Sequence, residues 1–268
     1  MKILSITSGK GGVGKTSVVC NMAMGLSKLG KRVLILDGDL GMANVDIFFG
    51  VHPQRTLQDL FKGVSLNDCL TQVAQNIDLL AGGSGIYDLC QLNAFQRREI
   101  LSHISEVSYI YDYLIIDTSP GLHDQVLHLN SVADECIVLL TPDPSSFTDA
   151  YALIKVLNQK HRTRKFSIVC NQVQDERAGA QLYLRFADVV QQFLPVSLSY
   201  KTTIPYDQQL KQSNRLQRLI IRQDAKSISS LAITALCSEI VSQNQIATSA
   251  GNTVKGLDMI FRPASGHA

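Results

Sequence analysis

Long apolar runs, charge of one sign and paired cysteines are all missing from this 268-residue chain. No apolar stretch approaches the roughly 18 residues that a membrane-spanning helix needs, so no transmembrane span is expected. The formal net charge is only +2. That is too little to draw the molecule as a whole to nucleic acid or to an acidic membrane, and any such binding has to come from a local patch. Cys20, Cys69, Cys90, Cys136, Cys170 and Cys237 are scattered, with no Cys-x-x-Cys pair. Most lie in apolar surroundings and read as reduced, buried thiols of a cytoplasmic protein. The histidines lack metal-ligand spacing; His123 and His128 do not fall on one helix face. No signal peptide is expected, because KILSIT enters a strand at once. No internal repeat or domain linker interrupts the chain.

What is present is an ordinary globular composition, 45% hydrophobic and 18% charged, enough for one large α/β domain. Strand-like apolar runs recur at 3–7, 32–37, 77–82, 113–117, 136–141, 166–171 and 196–200. They are continuously apolar rather than alternating, as strands buried on both faces should be. Helical patterns lie between them at 15–29, 86–107, 124–131, 146–160, 179–193 and 226–241. Strand and helix in alternation predict a doubly wound, mainly parallel sheet flanked by helices, with ligands at the carboxyl ends of its strands. The expected domain covers residues 1–241. From 242 the chain turns polar (SQNQIATSAGN) and reads as a tether to a short C-terminal segment, together 242–268.

The stretch SGKGGVGKT (8–16) fits two phosphate-binding fingerprints. As Gly9-x-Gly11-x-x-Gly14 it is a dinucleotide loop, with Asp37 and Asp39 roughly where the ribose-binding acid belongs. As Gly9-x4-Gly14-Lys15-Thr16 it is a P-loop. Lys15 and Thr16 decide for the P-loop: a triphosphate needs a cation on its β/γ oxygens and a hydroxyl on Mg²⁺, and a dinucleotide needs neither. Asp117 ends the apolar run YLIID, where a P-loop ATPase places the carboxylate that holds Mg²⁺. The phosphate cradle is expected from Gly11, Gly12, Val13, Gly14, Lys15, Thr16 and Ser17, whose backbone amides curl around phosphate oxygens with help from the positive end of the following helix. ATP or ADP and Mg²⁺ are the expected ligands.

Neither fingerprint requires Lys10. With it, SGKGGVGKT resembles the deviant Walker A sequence of the MinD/ParA ATPases, and the resemblance runs from residue 1 to about 240. In that family the early lysine crosses a dimer to the partner's nucleotide. The resemblance therefore implies an ATP-dependent homodimer, with Lys10, Lys15 and Asp39 as catalytic residues. LDGDLGMANVD (36–46) resembles the family's switch I, which implies that Asp39 orients the attacking water or faces the metal beside Thr16 and Asp117. Asp37 is then an outer-shell ligand or a structural carboxylate, and Asn44 faces the partner subunit. DTSPG (117–121) matches switch II. VCNQV (169–173) implies that Asn171 reads adenine, and IPYD (204–207) implies that Pro205 and Tyr206 close over the base. DGDLGMANVDIFFGV, LLAGGSGI and TPDPSSFTDAYALIKVL are most similar to the FlhG (FleN) branch, the MinD-like regulators of flagellar number. That branch implies an FlhF-like GTPase, flagellar basal-body switch proteins or a flagellar transcription regulator as partners. Its members carry a short N-terminal extension that stimulates FlhF, whereas here Met1 and Lys2 run straight into the first strand.

Two weaker signals remain. Lys211, Arg215, Arg218 and Arg222 would form a basic stripe on one continuous helix, but the family pattern ends that helix near Asn214–Arg215. In TVKGLDMIFR (253–262), Val254, Leu257, Ile260 and Phe261 fall on one helical face, similar to the membrane-targeting helix that ends MinD and FlhG proteins. The expected location is cytoplasmic, with reversible contact with the inner membrane face and no specific nucleic-acid partner. The alternatives are a ParA-like DNA- or cargo-positioning ATPase and a non-hydrolysing ATP-bound scaffold.

Overall fold

The apolar runs become strands whose residues are buried on both faces; in the second and fifth strands every residue is buried. The computed structural model describes residues 1–39, 42–83 and 94–249. Its strands are β1 (Lys2–Thr7), β2 (Val33–Gly38), β3 (Leu70–Ala74), β4 (Ile77–Leu80), β5 (Tyr113–Thr118), β6 (Glu135–Leu140), β7 (Lys165–Val173) and β8 (Ser197–Pro205). They form one sheet in the order β3-β4-β2-β5-β1-β6-β7-β8. Every pairing is parallel except β3 with β4. The helices are α1 (Lys15–Lys28), α2 (Val45–Phe49), α3 (Leu57–Leu60), α4 (Leu66–Cys69), α5 (Ala94–Glu106), α6 (Asp124–Ser131), α7 (Pro144–His161), α8 (Glu176–Phe193), α9 (Gln208–Arg215), α10 (Ile220–Gln223) and α11 (Ile228–Ser249).

Side chains alternate along each strand, so neighbouring residues feed opposite layers. Leu4, Ile6, Val33, Ile35 and Ile115 pack with Val19, Met22 and Leu26 of α1 and with Ile233, Leu236 and Ile240 of α11. Ile3, Leu34, Leu36, Leu114 and Ile116 face the other way, onto α3, α4 and α5. Farther along that second face, Val138, Leu140 and Ile168 pack on α7 and α8. Each fully buried aliphatic side chain contributes about 1.5–3 kcal/mol, which makes the strand ends a rigid frame for what lies beyond them. Because β1 is central, the loop after it opens directly above the carboxyl ends of β5 and β2.

Two expectations change. β3 has no counterpart among the expected strands. The polar stretch from 242, read from sequence as the start of a tether, continues α11 to Ser249. The helix of the basic stripe ends where the family pattern implied: α9 ends at Arg215 and α10 begins at Ile220, so the four cations do not share a helix. The five described cysteines are free and buried, while Cys90 lies outside the described residues. Also outside them are Leu40 and Gly41 of the switch-like segment, part of LLAGGSGI, and the tail with Val254, Leu257, Ile260 and Phe261. Among the described residues no helix is long and apolar enough to cross a membrane.

Candidate functional site

The loop between β1 and α1 is shaped by its glycines at two places. Gly14 is the N-cap of α1 at φ 94°, a left-handed conformation that a side chain strains. Gly9 lies so close to the backbone of Asp149 in α7 that an added Cβ would sit 2.3 Å from it. No side chain caps the start of α1. Its first amides and the positive end of its dipole therefore face the loop, the arrangement that binds anions.

Lys15 follows at once and is buried. Its Nζ donates to Ser8 Oγ at 2.9 Å, and among the described residues it forms no ion pair. Burial lowers its pKa, partly countered by the charges of Asp117 and Asp39. Thr16 Oγ1 donates to Asp117 Oδ2 at 2.6 Å. The other oxygen, Asp117 Oδ1, is buried without a hydrogen-bond partner among the described residues, a cost that calls for an explanation in a native structure.

Strand register explains why the carboxylates gather here. Asp37 pairs with Asp117 across β2 and β5, so both side chains leave the same face of the sheet. Asp37 Oδ1 accepts from the amide of Asp39 at 3.2 Å, and Oδ2 accepts from the amides of Asn44 and Val45, both at 3.1 Å. Both of its oxygens are thus engaged by backbone amides of the segment that leads into α2. Burial raises the pKa of Asp37, and its neighbour Asp117 raises it further. Burial also raises Asp117, more than Thr16 and Lys15 lower it. Asp39 is only half-buried; burial raises its pKa, and the nearby Lys15 ammonium opposes the rise.

Among the described residues no three metal-ligating side chains converge by themselves. A divalent ion would depend on water and phosphate oxygens for most of its shell, as Mg²⁺ usually does. The Thr16 hydroxyl and the unpartnered oxygen of Asp117 fit that role.

On the other side of α1, a cavity of about 440 Å³ is lined by Gly14, Ser17, Asn171, Pro205 and Tyr206, with Asn214 and Arg215 from α9. This brings together the three residues expected at the base. Asn171 does more than line the wall. Its Nδ2 donates to Val13 O at 2.7 Å and its Oδ1 accepts from the Gln172 amide at 3.0 Å, so it braces the P-loop backbone. Tyr206 is half-exposed, with the Lys211 ammonium 5.8 Å from its ring centre.

Lys10 is not gathered into the cradle. Its Nζ lies 2.6 Å from Asp143 Oδ2 on the surface. Asp143 caps α7, its Oδ1 accepting from the Ser145 amide at 2.9 Å, and hydrogen bonds from Lys10 and Ser145 hold its carboxyl well below the usual range. Asn44 is exposed, its Nδ2 donating to Met42 O. Sequence reasoning missed Ser8, Asp143 and Asn214, whose Oδ1 accepts from Ser17 Oγ at 2.9 Å. Only Asp143 had a signal, as an aspartate before the proline that starts a helix.

Comparison with known proteins bears on this arrangement. A family model described as an AAA domain matches residues 1–169. The antiactivator FleN of Pseudomonas aeruginosa is 34% identical over 270 aligned positions, covering 100% of this chain and 96% of that protein. The flagellum site-determining protein YlxH of Helicobacter pylori is 30% identical, covering 90% of this chain and 82% of the relative. Among solved structures, the septum site-determining protein MinD of Pyrococcus horikoshii, complexed with Mg-ADP, superposes with a TM-score of 0.75 at 25% identity. That match covers 91% of this chain and 98% of the other. A P-loop with an extra lysine, two registered aspartates beside it and a full-length match to FleN lead to one assignment: the chain belongs to the MinD/ParA family of P-loop ATPases, in its FlhG-like branch.

Proposed function

We propose that the chain is a Mg²⁺-dependent ATPase that works as a dimerisation switch and controls flagellar number or placement. The observation that carries this reading is the pair of incomplete charges at the carboxyl end of the sheet. Among the described residues, one is a buried lysine held only by the Ser8 hydroxyl, and the other is a buried aspartate oxygen with no hydrogen-bond partner. A nucleotide phosphate with its metal supplies both missing partners.

In this reading the amides of Gly11 to Ser17 and the start of α1 hold the phosphates, and the Lys15 ammonium turns from Ser8 to the β/γ oxygens. Thr16 and Asp117 would hold Mg²⁺, which would supply positive charge against the charge that develops on the phosphates. Asp39 orients the attacking water and accepts its proton. Pro205, Tyr206 and Asn171 line the place of the base. Lys10, parked on Asp143 away from its own cradle, is free to exchange that surface partner for the nucleotide of a second subunit. A surface ion pair of this kind contributes about 0–1 kcal/mol, so the exchange costs little.

The names of the relatives support the flagellar assignment: one is an antiactivator, the other a flagellum site-determining protein. By resemblance the partners are an FlhF-like GTPase, basal-body switch proteins or a flagellar transcription regulator. The location is the cytoplasm, with reversible membrane contact through Val254, Leu257, Ile260 and Phe261. Light scattering and phosphate release with Mg-ATP test the switch. The wild type should dimerise and turn over, while Lys10→Ala should bind ATP as a monomer without turnover. A variant that still dimerises and hydrolyses ATP normally would remove the reading.

A further inference from the structure

A second cavity, of about 530 Å³, lies between α2 and the segment from Leu216 to Gln223. It is separate from the base cavity. The break between α9 and α10 creates it, with Gln217 in the left-handed region at φ 53°. That break also divides the four cations of the sequence stripe. Lys211 and Arg215 line the base cavity, while Arg218 and Arg222 line this groove.

The lining has two characters. Phe49 and Leu219 form a buried floor, and Ile47 and Leu216 stand at the rim, 37% and 53% exposed. The Arg222 guanidinium lies 5.9 Å from the centre of the Phe49 ring, within the range of a cation–π contact. Among the described residues no carboxylate lines the groove, and neither Arg218 nor Arg222 has an acidic partner. Arginine and aromatic side chains are enriched at protein–protein interfaces, and here two arginines without acidic partners flank Phe49. Nucleic acid fits less well. It draws on a row of phosphate contacts, and here two arginines share the lining with Ile47, Phe49, Leu216 and Leu219.

We propose that this groove docks an acidic segment of a partner protein, with one bulky apolar side chain on the Phe49–Leu219 floor and flanking carboxylates on Arg218 and Arg222. The site lies beside α2, whose first amides Asp37 holds, so it is one short helix away from the nucleotide-facing carboxylates. The proposal goes beyond the ATPase reading and does not depend on it.

Fluorescence anisotropy with the full chain tests it, using a labelled synthetic peptide of glutamates interspersed with leucine and phenylalanine. The same peptide with lysine in place of glutamate serves as control. The acidic peptide should bind, and the lysine peptide should not. Arg218→Glu combined with Arg222→Glu should weaken binding about tenfold or more, as expected when charge-assisted contacts are reversed. Leu216→Asp, at an exposed position, should weaken it without shifting the melting temperature. Failure of the acidic peptide to bind, equal binding by the double variant, or equal binding by the lysine peptide would overturn the proposal. So would displacement of the peptide by duplex DNA, which would make the groove a nucleic-acid surface. A nucleotide-independent dimer abolished by Leu216→Asp would overturn it in favour of a second copy of this chain.

Discussion

The two ends of the sheet treat buried charge in opposite ways. At the amino end, Glu135 accepts from Lys2 at 2.7 Å and from Ser167 at 2.8 Å, and pairs with Lys201 at 3.1 Å. Lys201 in turn reaches Glu239 at 3.3 Å and Gln243 at 2.7 Å, clasping α11 to the sheet. Burial alone would raise the Glu135 pKa, yet Lys2 and Lys201 together hold it below the ordinary value. At the carboxyl end, Asp37 and Asp117 are at least as deeply buried, and their pKa values go up instead. Poorer pairing at deeper burial separates a charge cluster that is built to receive a ligand from one that holds the fold.

The largest expected effect comes from removing the cation of the open end. Lys15→Ala should weaken ATP binding by about a thousandfold, since two charge-assisted contacts of roughly 2 kcal/mol each are lost; calorimetric titration measures this. Its folding stability should hardly fall, because the lysine lacks an ionic partner in the free protein. Glu135→Gln should do the reverse. Leaving Lys201 short of a charge in a buried cluster should cost about 3 kcal/mol in urea unfolding, with ATP affinity unchanged. Asp39→Ala should leave binding intact and slow phosphate release by about a hundredfold, the lower end of what a positioned base contributes.

The smallest effect is a pH trend, opposite in sign at the two ends. The folded-state pKa values of Asp37 and Asp117 are raised. The native state therefore holds more protons than the unfolded chain, and stability is lost as pH rises from the ordinary carboxylate value of 3.8 through the raised values. The Glu135 pKa is lowered, so its contribution is present above the ordinary value of 4.5 and is lost as pH falls through the lowered one. Urea unfolding of the Mg²⁺-free protein across this range should show stability falling with pH, and Asp117→Asn should flatten the slope. A slope unchanged by that substitution would break the contrast between the ends.

Much of this was legible because it is local. Continuous apolar strands announce a parallel sheet, and Gly9, Gly14, Lys15 and Thr16 sit within one turn of chain. β3 escaped because it is an edge strand with Gln72 exposed among mixed residues, so neither continuous apolarity nor clean alternation marks it. α2, α3 and α4 have only four or five residues each, too few to show a period. α11 runs past 242 because polar residues can continue a helix whose earlier turns are anchored; Lys201 reaches Gln243 there. At the site, what stayed hidden is long-range. Lys10 meets Asp143 across 133 residues, and Asn171 meets Val13 across 158. No spacing rule predicts such pairs. The register that sets Asp37 beside Asp117 belongs to the sheet and not to either segment.

The most direct test of the contrast is the gain in unfolding free energy on adding Mg-ATP, compared for the wild type, Lys15→Ala and Glu135→Gln. Ligand that completes the open end should stabilise the wild type by about 2.7 kcal/mol at a hundredfold excess over its dissociation constant. At the same ligand concentration, Glu135→Gln should start lower and gain the same amount, while Lys15→Ala should gain almost nothing. No gain in the wild type, or an equal gain in Lys15→Ala, would contradict the account.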